Sequence, residues 1–353
     1  MKSRALLAGG VTALLAIPAA AQAATTQVYM GTPPSAQGKT QKLNGDFNAF
    51  FPRAANVKVG DSVRFVPVGF HDIDFPKKGG QAIALFAPTG NTISGAKDFA
   101  GSDFWFNGQV ELGFNPLLFN SLYGKKVTYN GSKAVISGLP LADKPKPVTV
   151  KFTKKGTFTY FCDVHPGMRA TITVGAKRTS AKAIGKAVAA QVKADTNQLT
   201  SITNKTAPPA NTIQIGAAGK GGVESYGFYP ATTTVPAGTT VTFKMPVGST
   251  EAHTATTGPG DPESEPDSYL GKISASLNAP QIDQAALYPS DTPPNPASLT
   301  TSLHGNGFWN SGVLNSVDGD PAPAANVVKF DQAGTYTFYC LIHPFMKTTV
   351  TVN

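Results

Sequence analysis

One nine-residue pattern occurs twice in this chain, 178 positions apart. The first copy is Tyr160-Phe161-Cys162-Asp163-Val164-His165-Pro166-Gly167-Met168; the second is Phe338-Tyr339-Cys340-Leu341-Ile342-His343-Pro344-Phe345-Met346. Cys, His, Pro and Met recur in register. The same offset relates Gly156 to Gly334, Ile172 to Val350, Val174 to Val352, Phe51-Pro52 to Tyr229-Pro230, Gly60 to Gly238, Val63 to Val241 and Phe65 to Phe243. Matches spread this far along a chain at one offset mark an internal duplication. Whatever fold the first half adopts, the second must adopt again, and 353 residues suit two domains.

Each half reads as short strands. Phe158, Tyr160 and Cys162 alternate onto one face, as do Tyr336, Phe338 and Cys340. A second strand follows each Met, so each Cys-to-Met segment is a tight loop between two strands. High Gly and Pro counts (36 and 28) fit many turns. The expected fold class is all-β: a signal peptide at 1–23, Greek-key β-sandwich or barrel domains at 24–175 and 211–353, and a helical linker at 176–210. In the linker, Thr179 and Ser180 are candidate caps, Ile184, Val188 and Val192 recur every four residues, and Pro208-Pro209 ends the segment. The expected helix spans about 180–200, its apolar stripe packed on one of the domains.

Lys2, Arg4, the apolar stretch from Leu6 to Pro18 and Ala21-Gln22-Ala23 read as a secretory signal peptide. No later stretch is long enough to span a bilayer, so the expected product is secreted or periplasmic, without an integral membrane segment. The net charge of +9 divides unevenly: +8 over 25–175, +5 over 176–210 and −6 over 211–353. No basic cluster is interleaved with aromatics, which excludes a nucleic-acid reading. Opposite charges instead suit halves that attract one another or face different partners.

The chemistry lies in the repeated loop. Cys, a His three residues on and a Met three further on offer a thiolate, an imidazole and a thioether, a donor mix that suits copper. A blue-copper site needs a second His. His71 is the only other one in the first half, and His253 follows the corresponding strand in the second. The expected metal sets are therefore His71, Cys162, His165, Met168 and His253, Cys340, His343, Met346, one type 1 copper each. A disulfide between the two cysteines leaves the repeated His and Met unexplained. Zinc makes poor use of a thioether. His304, in Leu303-His304-Gly305-Asn306-Gly307, reads as a solvated loop histidine, the sharper alternative being a place near the copper rim or a second weak metal site. Trp105 and Trp309 sit in similar contexts and are expected in the core.

At these residues the sequence resembles the plastocyanin/azurin family of cupredoxins, over both halves but not the linker. The loop from Cys340 to Met346 is similar to the short ligand loop of amicyanins. The resemblance implies an eight-stranded Greek-key barrel or sandwich per half, one type 1 copper in each, and one-electron transfer. Two departures stand out. The residue after the first ligand His, often Asn in the family, is Asp72 or Thr254. The His-to-Cys separations are long, pointing to insertions at 110–147 and 258–300 that cover the copper or build a partner surface.

The expected function is electron transfer between redox partner proteins. Copper delivery or storage uses the same ligands and is the alternative. An enzyme is not expected: a trinuclear cluster needs many more histidines, and only His304 is spare. An interaction module that has lost its metal is disfavoured by two complete donor sets.

Overall fold

The computed structural model describes residues 23–293, 296–317 and 322–353. The expected secretion signal lies outside the described residues but for Ala23. Each half folds as two stacked β-sheets, making the chain all-β apart from the linker and a few short helices. In the first half one sheet orders Phe50–Phe51, Thr25–Met30, Ser62–Pro67, Val148–Phe152 and Lys126–Tyr129. The other orders Val135–Ile136, Asp74–Phe75, Gly156–Phe161, Arg169–Gly175 and Ala54–Lys58. The second half repeats this plan. The hairpin around the repeated loop keeps its register: Gly156 faces Val174, and Gly334 faces Val352. Phe51-Pro52 and Tyr229-Pro230 are both cis.

Alternation along the strands decides what is buried. Val63, Phe65, Val150, Phe158, Tyr160 and Ile172 fill the first core; Val241, Phe243, Val328, Tyr336, Phe338 and Val350 fill the second. Cys162 and Met168 belong to the first core, Cys340 and Met346 to the second, so the donor loops are continuous with packed hydrophobic interior.

The halves are not independent beads. Gly45–Phe47, from the first half, pairs antiparallel with Val223–Tyr229 and becomes the sixth strand of a sheet in the second half. The linker helix runs Ala181–Lys205, past its expected end, and Ser180 caps it by accepting the Ala183 N–H. Its stripe packs on both halves rather than one. Ile184 lies against the first core, while Val188 and Val192 lie on a cluster that joins Phe47 and Phe51 to Val223. Arg53 ties the halves to the helix through Asp195 (2.9 Å) and the Gly221 carbonyl (2.7 Å).

The second insertion falls within 258–300 as expected, but the first is placed differently. Within 110–147, Lys126–Tyr129 and Val135–Ile136 are strands of the first sandwich. The real excursion is a hairpin, Phe86–Thr92 with Val110–Phe114, and it packs on the helices Tyr269–Ser276 and Gln284–Leu287 of the second half. Phe104, Phe106, Leu270, Leu287 and Phe308 form a third core there. Trp105 lies at its edge and donates its indole N–H to the Pro289 carbonyl at 2.8 Å. Trp309 instead packs on Phe243 and Phe338 in the second sandwich. Its strand occupies the place of Val135–Ile136, so the two tryptophans are not counterparts. Among the described residues no helix is long and apolar enough to cross a membrane.

Candidate metal centres

Each Cys stands just past the end of a strand, at the mouth of its sandwich. The loop to Met closes on itself twice. Cys162 N–H donates to the Met168 carbonyl and Met168 N–H to the His165 carbonyl, both at 3.0 Å. Cys340 and Met346 repeat the pair at 3.2 and 2.9 Å. These bonds turn the loop so that His165 and His343 point back towards their cysteines.

The sequence-expected residues are brought together. His71, Cys162 and His165 form one buried group, and His253, Cys340 and His343 another. Cys162 Sγ lies 3.9 Å from His71 Nδ1 and 3.5 Å from His165 Nδ1. Cys340 Sγ lies 3.5 Å from His253 Nδ1 and 3.7 Å from His343 Nδ1. An ion in a trigonal plane, with metal–nitrogen and metal–sulfur bonds near 2.0 and 2.3 Å, needs N···S separations of about 3.7 Å. Both groups therefore fit one ion each. Met168 and Met346 are buried in the same loops and cores. The cysteines are free, which removes the disulfide alternative.

Burial pushes the Cys162 thiol well up and the Cys340 thiol to about 11. Burial likewise lowers His71, and His253 to about 3, with the neighbouring ligand histidine adding to the effect. Neutral imidazoles at His71 and His253, each beside a thiol that a bound cation would help to deprotonate, could serve as metal donors.

Glycines make room for the first histidine of each set. A Cβ on Gly31 falls 2.5 Å from His71 Cδ2, and one on Gly216 falls 3.1 Å from His253 Nε2. Both glycines have left-handed φ, 93° and 74°.

The residue after that histidine holds the loop in both halves, with different oxygens. Asp72 Oδ1 accepts the Asp163 N–H at 2.7 Å; Thr254 Oγ1 accepts the Leu341 N–H at 2.8 Å. Behind the first group, Asp72, Asp74 and Asp163 are all buried, and one oxygen of each lacks a hydrogen-bond partner. Burial and mutual repulsion push Asp163 up to about 10 and Asp74 to about 6. The corresponding residues of the second half are Thr254, Thr256 and Leu341.

Glu251 and the partners of His304 are not evident in the sequence. Glu251, buried, lies between the two groups: its Oε1 is 3.3 Å from His165 Nε2 and its Oε2 is 3.6 Å from His343 Nε2. Burial opposes charge there, yet His165, His343 and His253 outweigh it and hold the carboxyl well below the usual range. Asn48, which follows the strand Gly45–Phe47, donates to Oε1 at 2.6 Å, and Tyr226 donates its hydroxyl to the same oxygen at 2.8 Å. The signal was present as a departure from the repeat, since the position matching Glu251 is Gly69. His304 is not solvated. It sits between Asp98 of the first half (3.2 Å) and Asp291 of the second (3.3 Å) and belongs to neither donor group. Despite burial, the two carboxylates raise its pKa.

The chain matches no family profile and no curated protein sequence. Several solved structures are similar to part of it. Plastocyanin from Dryopteris crassirhizoma is 22% identical, over 40% of this chain and 99% of its own, with a TM-score of 0.21. Auracyanin A, a blue copper protein from Chloroflexus aurantiacus, is 25% identical over 40% and 98%, with a TM-score of 0.24. A purple cupredoxin from Nitrosopumilus maritimus is 20% identical over 40% and 98%, with a TM-score of 0.20.

Proposed function

We propose that this chain is an extracytoplasmic blue copper protein that carries single electrons between redox partner proteins. On this reading residues 24–175 and 211–353 are two copper domains joined by the helical linker 176–210. One type 1 copper is held by His71, Cys162, His165 and Met168, and a second by His253, Cys340, His343 and Met346. The carrying observation is the twice-built, buried Nδ1–Sγ–Nδ1 group, with separations of 3.5–3.9 Å and a methionine in each loop. Copper there supplies a one-electron couple.

The chain's own residues explain why an electron carrier suits this arrangement better than a catalyst. The closed loops and the glycines behind His71 and His253 hold the donors ready, so little has to move when the charge changes. Four protein donors leave no coordination position for a substrate. Extracytoplasmic placement rests on the leader-like start of the sequence.

The test loads purified protein with Cu(II), removes loose metal, counts copper per chain and records the visible spectrum. Two tightly held coppers, with an intense band that a mild reductant bleaches, support the reading. Absence of the band overturns it. Transfer of copper to an acceptor chelator protein, without fast electron exchange, selects delivery or storage instead.

A further inference from the structure

The two donor sets meet at one side chain. Glu251 is 4% exposed and faces the outer nitrogens of His165 and His343, whose inner nitrogens face their cysteines. A histidine that uses Nδ1 as donor keeps its proton on Nε2, and that proton needs an acceptor. His165 comes from the first half, whereas Glu251 and His343 come from the second. The carboxylate is itself fixed by Asn48, just past the strand Gly45–Phe47, and by Tyr226. Gly167, where the second loop has Phe345, lies beside Thr250, the neighbour of Glu251: a Cβ there would rest at ordinary contact distance, 3.6 Å.

We propose that Glu251 is a shared positioning residue, fixing the tautomer and ring orientation of one ligand histidine in each half and joining the two sites into a single His165–Glu251–His343 relay. This rests on the electron-carrier reading and adds an internal route to it. With copper in both sites, one electron would pass from the reduced site to the oxidised one. No bond forms or breaks, and both Nε2 protons stay where they are. The path between the two imidazoles then runs through one buried carboxylate rather than through solvent. The relay is uneven: His165 lies at hydrogen-bond distance, His343 slightly beyond it.

Histidine nitrogen NMR on the reduced, diamagnetic protein reads the bridge without reference to activity. In the unsubstituted protein His165 and His343 should both show a proton on Nε2, slow to exchange with solvent and slower for His165. Glu251→Gln keeps the volume and one acceptor oxygen, so protection should survive at one histidine only. Glu251→Ala should lose it at both, including His165 in the other half, an effect that a purely local packing role does not produce. Electron equilibration between the sites, followed after photoreduction of half the copper, should be clearly slower in Glu251→Gln than in the unsubstituted protein.

Unprotected Nε2 protons in the unsubstituted protein overturn the bridge even if neither variant folds. So does an unchanged equilibration rate in a variant that retains both blue bands, and that result leaves the carrier reading standing. A third tightly bound copper, lost from Glu251→Gln, replaces the hydrogen-bond relay with a metal site and also overturns the proposal. Absence of the blue band in the unsubstituted protein removes both ideas together.

Discussion

Behind their donor atoms the two sites are built of opposite materials. The first half places three carboxyl groups there, Asp72, Asp74 and Asp163. The second places two hydroxyls and a leucine, Thr254, Thr256 and Leu341. Asp72 and Thr254 still do the same job of accepting the N–H that follows the cysteine of each set. The neighbouring serines match too, Ser137 accepting the Ile73 N–H and Ser311 the Ala255 N–H. What a duplicated site retains is the set of bonds that aims its ligands. The charge around those ligands is free to diverge, and charge tunes a metal couple without moving a donor.

The sharpest way to break the comparison is to remove one thiolate at a time. Cys162→Ser and Cys340→Ser should each abolish one copper and the thiolate charge-transfer band of one site, leaving the other site intact. Copper counting and the visible spectrum check this, and a full band surviving the double substitution refutes the assignment.

Next comes the room behind the first histidine. Gly31→Ala drives a methyl group to within 2.5 Å of His71 and 2.2 Å of the Val68 carbonyl, against 3.1 Å to His253 for Gly216→Ala. Strain at such positions costs about 1–3 kcal/mol. Gly31→Ala should reach or exceed the top of that range and weaken copper in its own half, while Gly216→Ala should stay near the bottom. Unfolding of the metal-free protein and copper titration measure both.

A finer test exchanges the wall. Asp74, held at about 6, is ionised at neutral pH, and negative charge behind the first site favours the more highly charged oxidised ion. The first site should therefore have the lower reduction potential. Asp72→Thr, Asp74→Thr and Asp163→Leu together should raise it towards the second, as read by redox titration. The same groups predict a pH effect of definite sign. Their folded pKa values lie above the unfolded 3.8, at about 6 and about 10 for Asp74 and Asp163. The unfolded chain thus releases its protons first, and their contribution to stability falls as pH rises through that window. Thermal unfolding of the metal-free protein from pH 4 to 8 should show this loss, and the triple substitution should reduce it.

The smallest expected effect concerns a clasp present only on the first half. Burial opposes charge on Asp61, but Arg178 and the Ala24 and Lys58 amides outweigh it and hold the carboxyl at about 2. Its counterpart is Thr239. This contribution is present above pH 3.8 and fades as pH falls through about 2. Asp61→Asn should cost about 1 kcal/mol at neutral pH, measured by denaturant unfolding.

The donor sets and strand pattern were legible because duplication wrote them twice. A Cys-to-Met loop seen once is a motif; seen at a fixed offset, with Phe51-Pro52 and Gly60 carried along, it specifies a fold. What stayed hidden was everything without a second copy. Glu251 matches a glycine, the strand Gly45–Phe47 is too short to show a period, and the hairpin around Phe104 finds its partners only across the molecule. His304 was misread because its loop looks solvent-facing. Its partners, Asp98 and Asp291, are distant in sequence and come from the two insertions.

The exchanged strand bears on the history and manufacture of the molecule. Gly45–Phe47 leaves the ribosome long before Val223–Tyr229, the edge it completes, and waits unpaired while the rest of its own half folds. A second copy of the chain offers the same edge, which makes a reciprocal strand-swapped dimer the natural misassembly at high concentration. The lending of this strand works as a ratchet on any later rearrangement of the chain. The two copies behave as a unit, because deleting either leaves a bare sheet edge or a strand with nowhere to lie.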